Sequence, residues 1–344
     1  MNWKDCGWNE RLAALAAEEP LKLPGRVTAQ EKGLCRVITE AGELLAEPSG
    51  KFRFQAQSGA DYPAAGDFVL LEPGAAPQQR AVFHRVLPRK SCFVRKAAGT
   101  ARQEQVVAAN VDTVFLCMSL NRDFNLRRLE RYLTLAWDSG ASPVVVLTKA
   151  DLCGELPARL QEAESAAAGA QVLAVSALEQ DGAAALQPWL RPGQTVAFLG
   201  SSGVGKSTLI NCLLGRQRQE TGGLGWADKG RHTTTRRELI LLPGGGLVLD
   251  TPGMRELGLW DAGQGVERTF EELEALAGGC RFGDCTHTTE PGCALQAALR
   301  QGTLDPERFA SWQKLRAESA EDRRAAKERK FKQIAKFNRT NPKR

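Results

Sequence analysis

The order of four short motifs constrains this chain more than any one of them does. TKAD (Thr148 to Asp151) and the Ser176-Ala177 pair come first, and GSSGVGKS (Gly200 to Ser207) and DTPG (Asp250 to Gly253) follow. In the usual arrangement of this motif set the glycine-rich loop leads and TKAD trails. The chain therefore reads as circularly permuted, a rearrangement tolerated because domain termini often lie close together on the surface. One consequence is mechanical: the loop after DTPG now runs towards the C-terminal end of its domain and can pull on whatever follows.

GSSGVGKS is the strongest single motif. Its glycines, with Ser201, Ser202 and Val204 between them, let backbone N–H groups point at phosphates. Lys206 reaches the β and γ oxygens, Ser207 offers a hydroxyl to Mg²⁺, and Thr208 continues the helix that opens there. TKAD closes the β-branched run VVVL, and the Asp151 carboxylate can accept from the ring N–H and amino group of guanine, which adenine cannot offer. Lys149 belongs to the same base-reading motif, and Ala177, after Ser176, is placed to give a backbone N–H to the guanine oxygen. Thr148 stands where Asn is commoner, so the tether made by that amide is expected to be shortened or lost and guanine affinity to be modest. Asp250 is expected to hold Mg²⁺ through water and the Gly253 amide to sense the γ-phosphate. GRHTTT (Gly230 to Thr235) lies where the first switch belongs, and Thr234 is the candidate hydroxyl for the Mg²⁺ shell. Met254 occupies the position of a water-orienting Gln, work a thioether cannot do. A metabolic P-loop ATPase is disfavoured by Asp151.

Around this core the 344 residues divide into five expected units: an N-terminal segment (1–20), a small β-barrel (21–97), the permuted P-loop domain (98–258), a helical metal-binding domain (259–320) and a basic tail (321–344). The barrel is read from short apolar runs, Gly25 to Val27, Leu34 to Ile38, Leu44 to Ala46, Lys51 to Phe54, Asp67 to Leu71 and Ala81 to Leu87, punctuated by turn residues. Lys51, Arg53, Arg89, Lys90, Arg95 and Lys96 give it a basic character that suits an oligonucleotide-binding (OB-type) barrel. Next come a strand over Val111 to Leu120, a helix over Leu126 to Asp138, a strand over Pro143 to Leu147 and a helix over 155–170. Strands over Gln171 to Val175, Thr195 to Leu199 and Gly246 to Leu249, with a helix from Lys206, complete a mainly parallel α/β sheet. The fold class is thus multidomain α/β.

The net charge of +6 is concentrated at one end. Residues 321–344 hold ten Lys or Arg against three acids, so the preceding 320 residues sum to −1. Phe331, Ile334 and Phe337 give this stretch a narrow apolar edge, and phosphate contact with RNA is the favoured reading over a solvated helix. Six of the nine cysteines are scattered and read as small buried hydrophobes. Cys280, Cys285 and Cys293 cluster around His287, three thiolates and one imidazole, the ligand set of a closed structural Zn²⁺ site. The N-terminus lacks the apolar run of a signal peptide, and no apolar stretch reaches the ~18 residues of a membrane span, so a cytoplasmic chain without membrane attachment is expected.

GDFVLLE (66–72), LPRKS (87–91), EQVVAANVD (104–112), FNLRRLERYL (124–133), VVVLTKADL (144–152), GSSGVGKSTLIN (200–211), GRHTTT and LDTPGMRELGL (249–259) together resemble the ribosome small-subunit-dependent GTPase A family, the YjeQ or YloQ type, over nearly the whole chain. The resemblance implies an N-terminal OB-fold, a circularly permuted GTPase domain binding GTP or GDP with Mg²⁺, and a C-terminal domain with one structural Zn²⁺. It also implies a monomer acting in late assembly of the 30S subunit, touching 16S rRNA, with hydrolysis stimulated by that subunit. On the same ground His232 becomes a candidate for positioning the attacking water, beside two other roles, packing the switch and contacting rRNA. A GTP-regulated RNA-binding factor without ribosomal specificity is the alternative.

Overall fold

The structure, a computed structural model, describes residues 3–31, 33–75, 79–96, 104–121, 123–179, 182–215, 238–250, 263–321 and 324. His232, Thr234, Gly253, Met254 and nearly all of the basic tail lie outside these described residues.

A short 3-10 turn and helix α1 (Glu10–Ala16) precede the barrel, with Asn9 capping the helix by accepting from the Leu12 N–H. Strands β1 (Leu23–Glu31), β2 (Leu34–Thr39) and β3 (Gly42–Pro48) form an antiparallel meander. Helix α2 (Gly50–Gln55) then leads to β4 (Phe68–Glu72) and β5 (Ala81–Val86). Strand β5 pairs parallel with β3 and antiparallel with β4, and β4 returns to β1, so the sheet closes in the order β1-β2-β3-β5-β4. Alternation along β4 serves two cores: Val69 and Leu71 point into the barrel, while Phe68 and Leu70 face out to meet Leu12 and Trp8 of the N-terminal segment. The expected strand at Lys51 to Phe54 is instead α2. The Ser49 hydroxyl accepts from the Phe52 N–H and starts a helix that buries Phe52 alone.

Strands β6 (Cys92–Lys96) and β7 (Glu104–Ala109) pair into a ribbon, so residue 97, the expected limit of the barrel, falls between the ribbon's two strands. The nucleotide sheet follows: β8 (Thr113–Ser119), α3 (Leu126–Ser139), β9 (Ser142–Thr148), α4 (Leu156–Ala166), β10 (Gln171–Val175), β11 (Thr195–Leu199), α5 (Lys206–Leu214), β12 (Glu238–Leu241) and β13 (Leu247–Asp250). Its order is β10-β9-β8-β11-β13-β12, parallel except for β12, which runs antiparallel to β13. Both faces are covered, as parallel sheets require. Val114, Leu116 and Met118 of β8 join the core that includes α3, while Phe115 and Cys117 join the core that includes α5.

Strand β1 also pairs with β12, Ala29 opposite Glu238, so barrel and nucleotide sheet form one continuous sheet. Helices α6 (Gly263–Thr269), α7 (Glu271–Ala277) and α8 (Ala294–Arg300) and a helix over 306–321 follow. Phe270, Leu273, Leu295, Phe309 and Trp312 share a core with Leu129 and Leu133 of α3, which makes α3 the seat of the C-terminal helices. Among the described residues no helix is long and apolar enough to cross a membrane.

Candidate nucleotide site and metal centre

The motifs that are distant in sequence meet at the carboxyl ends of β9, β10, β11 and β13. Apolar runs, buried in β9, β11 and β13 and half-buried in the edge strand β10, carry the chain straight to these ends, and each motif begins where a strand stops. Gly200 follows β11, and a Cβ there would stand 2.4 Å from the Cys117 carbonyl, so only glycine lets the loop leave the strand so close to β8. Gly205, at φ 102°, caps α5 in a conformation that favours glycine, and Lys206, Ser207 and Thr208 form the first turn. The N–H groups of Gly200 to Ser207 thus lie where a loop meets a helix N-terminus, a place suited to anions.

Side chains fasten this loop from several directions. Lys206 Nζ donates to the carbonyls of Gly200 at 2.7 Å and Ser201 at 2.6 Å. From the end of β9, the Thr148 hydroxyl donates to the Val204 carbonyl at 2.5 Å, and Lys149 Nζ donates to the Gly203 carbonyl at 2.9 Å. Of the two outcomes expected for the tether at Thr148, shortened or lost, the structure has the first: a buried hydroxyl makes a bond with a shorter arm. Lys149 sits at φ 58°, one of four non-glycine residues with positive φ among the described residues, and this turn lets TKAD send Lys149 to the loop while Asp151 enters a 3-10 turn. The Ser176 hydroxyl donates to Asp151 Oδ1 at 2.7 Å, which joins TKAD and the Ser176-Ala177 pair directly. Ala177 accepts a weak bond from the Cys212 thiol of α5 at 3.4 Å, so that segment also touches the helix of the phosphate loop. Burial pushes the Cys117 thiol, under the loop, up to about 12, which leaves it an inert neutral packing group.

Asp250 ends β13, whose Leu249 pairs with Ala197 of β11, so its carboxylate arises beside the start of the phosphate loop. The Ser207 hydroxyl and the Asp250 carboxylate are hard oxygen donors, the chemistry that suits Mg²⁺. The expectations for His232, Thr234 and Gly253 concern residues outside those described.

In the C-terminal segment Cys280, Cys285, His287 and Cys293 bring their ligand atoms within 4.8 Å of one another. Cys280 Sγ stands 3.8 Å from Cys293 Sγ, and His287 Nδ1 stands 3.5 Å and 3.6 Å from these two sulfurs. A tetrahedron with metal–sulfur bonds of about 2.3 Å has edges of about 3.8 Å, so this spacing fits Zn²⁺. Burial, helped by Arg316, holds His287 below its ordinary pKa, in the neutral form that ligates a metal. His287 adopts φ 62°, and its carbonyl accepts from Gln296 Nε2 at 2.8 Å. Glu290 braces the same loop by accepting from the N–H groups of Thr286, Thr288 and Thr289 and from the Thr286 hydroxyl, which pulls its carboxyl down to about 2.

The basic residues expected to line the barrel divide in two. Arg89 is spent internally, with Nε and Nη2 on Asp67 and further bonds to the Ala60 and Tyr62 carbonyls, and Lys90 pairs with Asp112. Arg95 bonds to Gln105 at 3.1 Å. Lys51 and Arg53 are exposed on α2 beside Phe54, which is 91% exposed. Sequence reasoning missed Arg128, whose guanidinium touches the phosphate loop, and Arg26, buried between barrel and nucleotide sheet. Both partners lie far along the chain, and no local pattern announces them.

Comparison with known proteins agrees with this geometry. Residues 86–260 match the family model described as RsgA GTPase. A protein of Opitutus terrae named small ribosomal subunit biogenesis GTPase RsgA is 50% identical over 333 residues, covering 93% of this chain and 90% of its own. A Lactiplantibacillus plantarum protein named small ribosomal subunit biogenesis GTPase RsgA 2 is 49% identical over 314 residues, covering 91% of this chain and 88% of its own. The crystal structure of YjeQ from Thermotoga maritima superposes with a TM-score of 0.64 at 28% identity, over 87% of this chain and 99% of that one. YloQ, described as a circularly permuted GTPase, shares the fold with a TM-score of 0.61 over 88% of this chain and 96% of its own. With its motifs in permuted order, gathered at one end of a parallel sheet behind a five-stranded barrel, this chain belongs to the RsgA GTPase family.

Proposed function

We propose that this chain is a cytoplasmic, monomeric GTPase of small ribosomal subunit maturation, which binds 16S rRNA within the 30S particle and hydrolyses GTP faster when seated there. The observation that carries the reading is the meeting of TKAD, Ser176-Ala177 and the phosphate loop through the Thr148–Val204, Lys149–Gly203 and Ser176–Asp151 bonds, in a chain half-identical to a protein named for that role.

In this reading Asp151 accepts from guanine while Ser176 orients it, and the Ala177 N–H meets the guanine oxygen. The amides from Gly200 to Thr208 hold the phosphates, and Lys206 turns from the loop carbonyls to the β and γ oxygens. Ser207, Asp250 and Thr234 would hold Mg²⁺, which when bound offsets the negative charge of the β- and γ-phosphates. The Gly253 amide senses the γ-phosphate and His232 orients the attacking water. Cys280, Cys285, His287 and Cys293 would hold Zn²⁺ as a structural ion, with no ligand position left for chemistry.

RNA binding draws on two features. Helix α2 presents Lys51 and Arg53 for phosphates and Phe54 for base stacking, and the tail supplies salt-dependent affinity. The test is GTP hydrolysis by the full chain alone, with purified 30S subunits, with 50S subunits and with protein-free 16S rRNA. Stimulation confined to 30S is expected. Equal stimulation by naked RNA would replace this reading with a GTP-regulated RNA-binding factor, and no stimulation by any would refute it.

A further inference from the structure

Among the described residues, a side chain outside the four motifs, that of Arg128, bonds to the phosphate loop. Arg128 lies in the first turn of α3, behind the Asn125 cap, and its Nη1 donates to the Ser201 hydroxyl at 2.7 Å and to Asp123 Oδ1 at 2.5 Å. The other ties to the loop described above end on its carbonyls, including the one from Lys206 to Ser201. Arg128 holds a loop side chain instead, so Ser201 is gripped at both its carbonyl and its hydroxyl.

A guanidinium beside this loop has two possible uses. An unpaired one would attract the nucleotide's phosphates directly. Here the nitrogen that meets Ser201 also meets Asp123, whose carboxylate offsets the charge, and this favours orientation of the loop over contact with phosphate. The helix carrying Arg128 is itself held firmly. Glu130, fully buried, accepts from Arg127 Nη1 at 2.6 Å and from Arg308 Nη1 at 2.9 Å. Arg131 makes a two-pronged pair with Glu318, both bonds 2.7 Å. The Thr134 and Thr269 hydroxyls meet at 3.1 Å, tying α3 to the end of α6. One end of α3 therefore touches the phosphate loop while its flank seats the C-terminal helices.

We propose that Arg128 is a positioning residue for nucleotide binding, holding Ser201 so that the phosphate loop keeps its binding geometry and linking that geometry to the seating of the C-terminal helices on α3. The inference rests on the reading of Gly200 to Ser207 as the phosphate loop. Lys206→Ala is therefore run beside it. Undiminished nucleotide binding in that variant would sink the site reading, whatever Arg128 does.

The experiment titrates fluorescent GDP and a non-hydrolysable GTP analogue into full-length variants and follows single-turnover hydrolysis. Arg128→Ala is expected to weaken binding of the GTP analogue about five- to tenfold, the size of one net hydrogen bond, since the loss reaches the nucleotide only through the loop. Ser201→Ala should lose about as much, and the double variant no more than either, because both remove one bond. Arg128→Lys, whose one ammonium could make both bonds but on a shorter side chain, should recover part. Arg128→Gln serves if Arg128→Ala does not fold. Glu318→Ala, which loosens the seat, should weaken binding about two- to threefold in the parent and leave it unchanged in the Arg128→Ala background. Parental binding by Arg128→Ala, additive losses in the double variant, or an equal Glu318→Ala effect in both backgrounds would overturn the proposal.

Discussion

The Arg26 guanidinium of β1 donates to the Thr195 hydroxyl of β11 at 2.8 Å, across the seam between the barrel and the nucleotide sheet. The same side chain, 1% exposed, donates to the Cys6 carbonyl at 2.7 Å and the Gly66 carbonyl at 3.2 Å, so one cation ties the N-terminal segment, the barrel and the nucleotide sheet. Burial lowers its pKa to about 10, which still leaves it charged at neutral pH. Strand β1 also pairs with β12, and β12 is the first element after the GRHTTT segment in sequence. Changes in that segment thus have a covalent route to a strand hydrogen-bonded to the barrel.

Replacing Arg26 with Met, which fills similar space without donors, should strand the carbonyls and the Thr195 hydroxyl that it serves. Urea unfolding is expected to show a loss of about 2–4 kcal/mol. Arg26→Lys, a single point donor, should recover a minor part. An unaltered unfolding midpoint for Arg26→Met would show that the seam holds by apolar packing alone.

Thr148 offers a second test, because its hydroxyl makes a bond to the Val204 carbonyl where the sequence predicts a tether shortened or lost. Thr148→Val keeps the β-branched shape and leaves that carbonyl without this partner. About 1–3 kcal/mol of loop stability is at stake, which corresponds to a GDP affinity lower by about 5- to 150-fold. Titration with fluorescent GDP measures it directly. Affinity equal to the parent would mean that Lys149 and Gly203 hold the loop without Thr148.

Much of this architecture was legible because the strands of a parallel sheet leave a plain mark. Gln171–Val175 and Thr195–Leu199 have the bounds expected of them, each an apolar run that stops at a motif. Lys51 to Phe54 misled because alternation over four residues suits a strand and a one-sided helix alike, and the Ser49 cap decides for the helix. The β6–β7 ribbon was not legible, since pairing of Cys92 with Ala109 depends on register rather than on either segment's composition. In the site, motif residues were readable by spacing. Arg128 with Ser201, 73 residues apart, and Arg26 with Thr195, 169 apart, were not, because only the folded sheet brings such partners together.

The Ser176–Asp151 bond fixes the carboxylate proposed to read the base, and this yields a prediction about specificity. Asp151→Asn replaces one acceptor oxygen by an N–H₂ donor, which opposes the guanine amino group and matches the oxygen that xanthine carries there. GTP affinity should fall by about two orders of magnitude or more while xanthosine triphosphate gains. Competition between the two triphosphates for hydrolysis reads the switch. Undiminished preference for GTP in the variant would remove Asp151 from base recognition.

The candidate metal centre makes the last prediction, because between Cys280 and Cys293 the loop is held by hydrogen bonds around Glu290 and His287 more than by apolar burial. Phe282 is 42% exposed and the stretch between the ligands is polar, so apolar burial contributes little there. A Zn²⁺ site of this ligand type is worth about 10–16 kcal/mol of apparent binding free energy, far more than the hydrogen bonds around Glu290 supply. The purified chain should carry one zinc per molecule. Chelation or Cys293→Ser should loosen α8 and the 306–321 helix, because Cys293 is the residue before α8 and His287 packs on Trp312 at 5.4 Å between ring centroids. Loosening those helices would withdraw Arg308 from buried Glu130, so the damage should spread to α3. Limited proteolysis and thermal melts with and without chelator measure it. New cleavage after about residue 280 and a melting temperature lower by several degrees are expected. A zinc-free chain with the parental melt and cleavage pattern would show that the four ligand atoms gather without a structural ion.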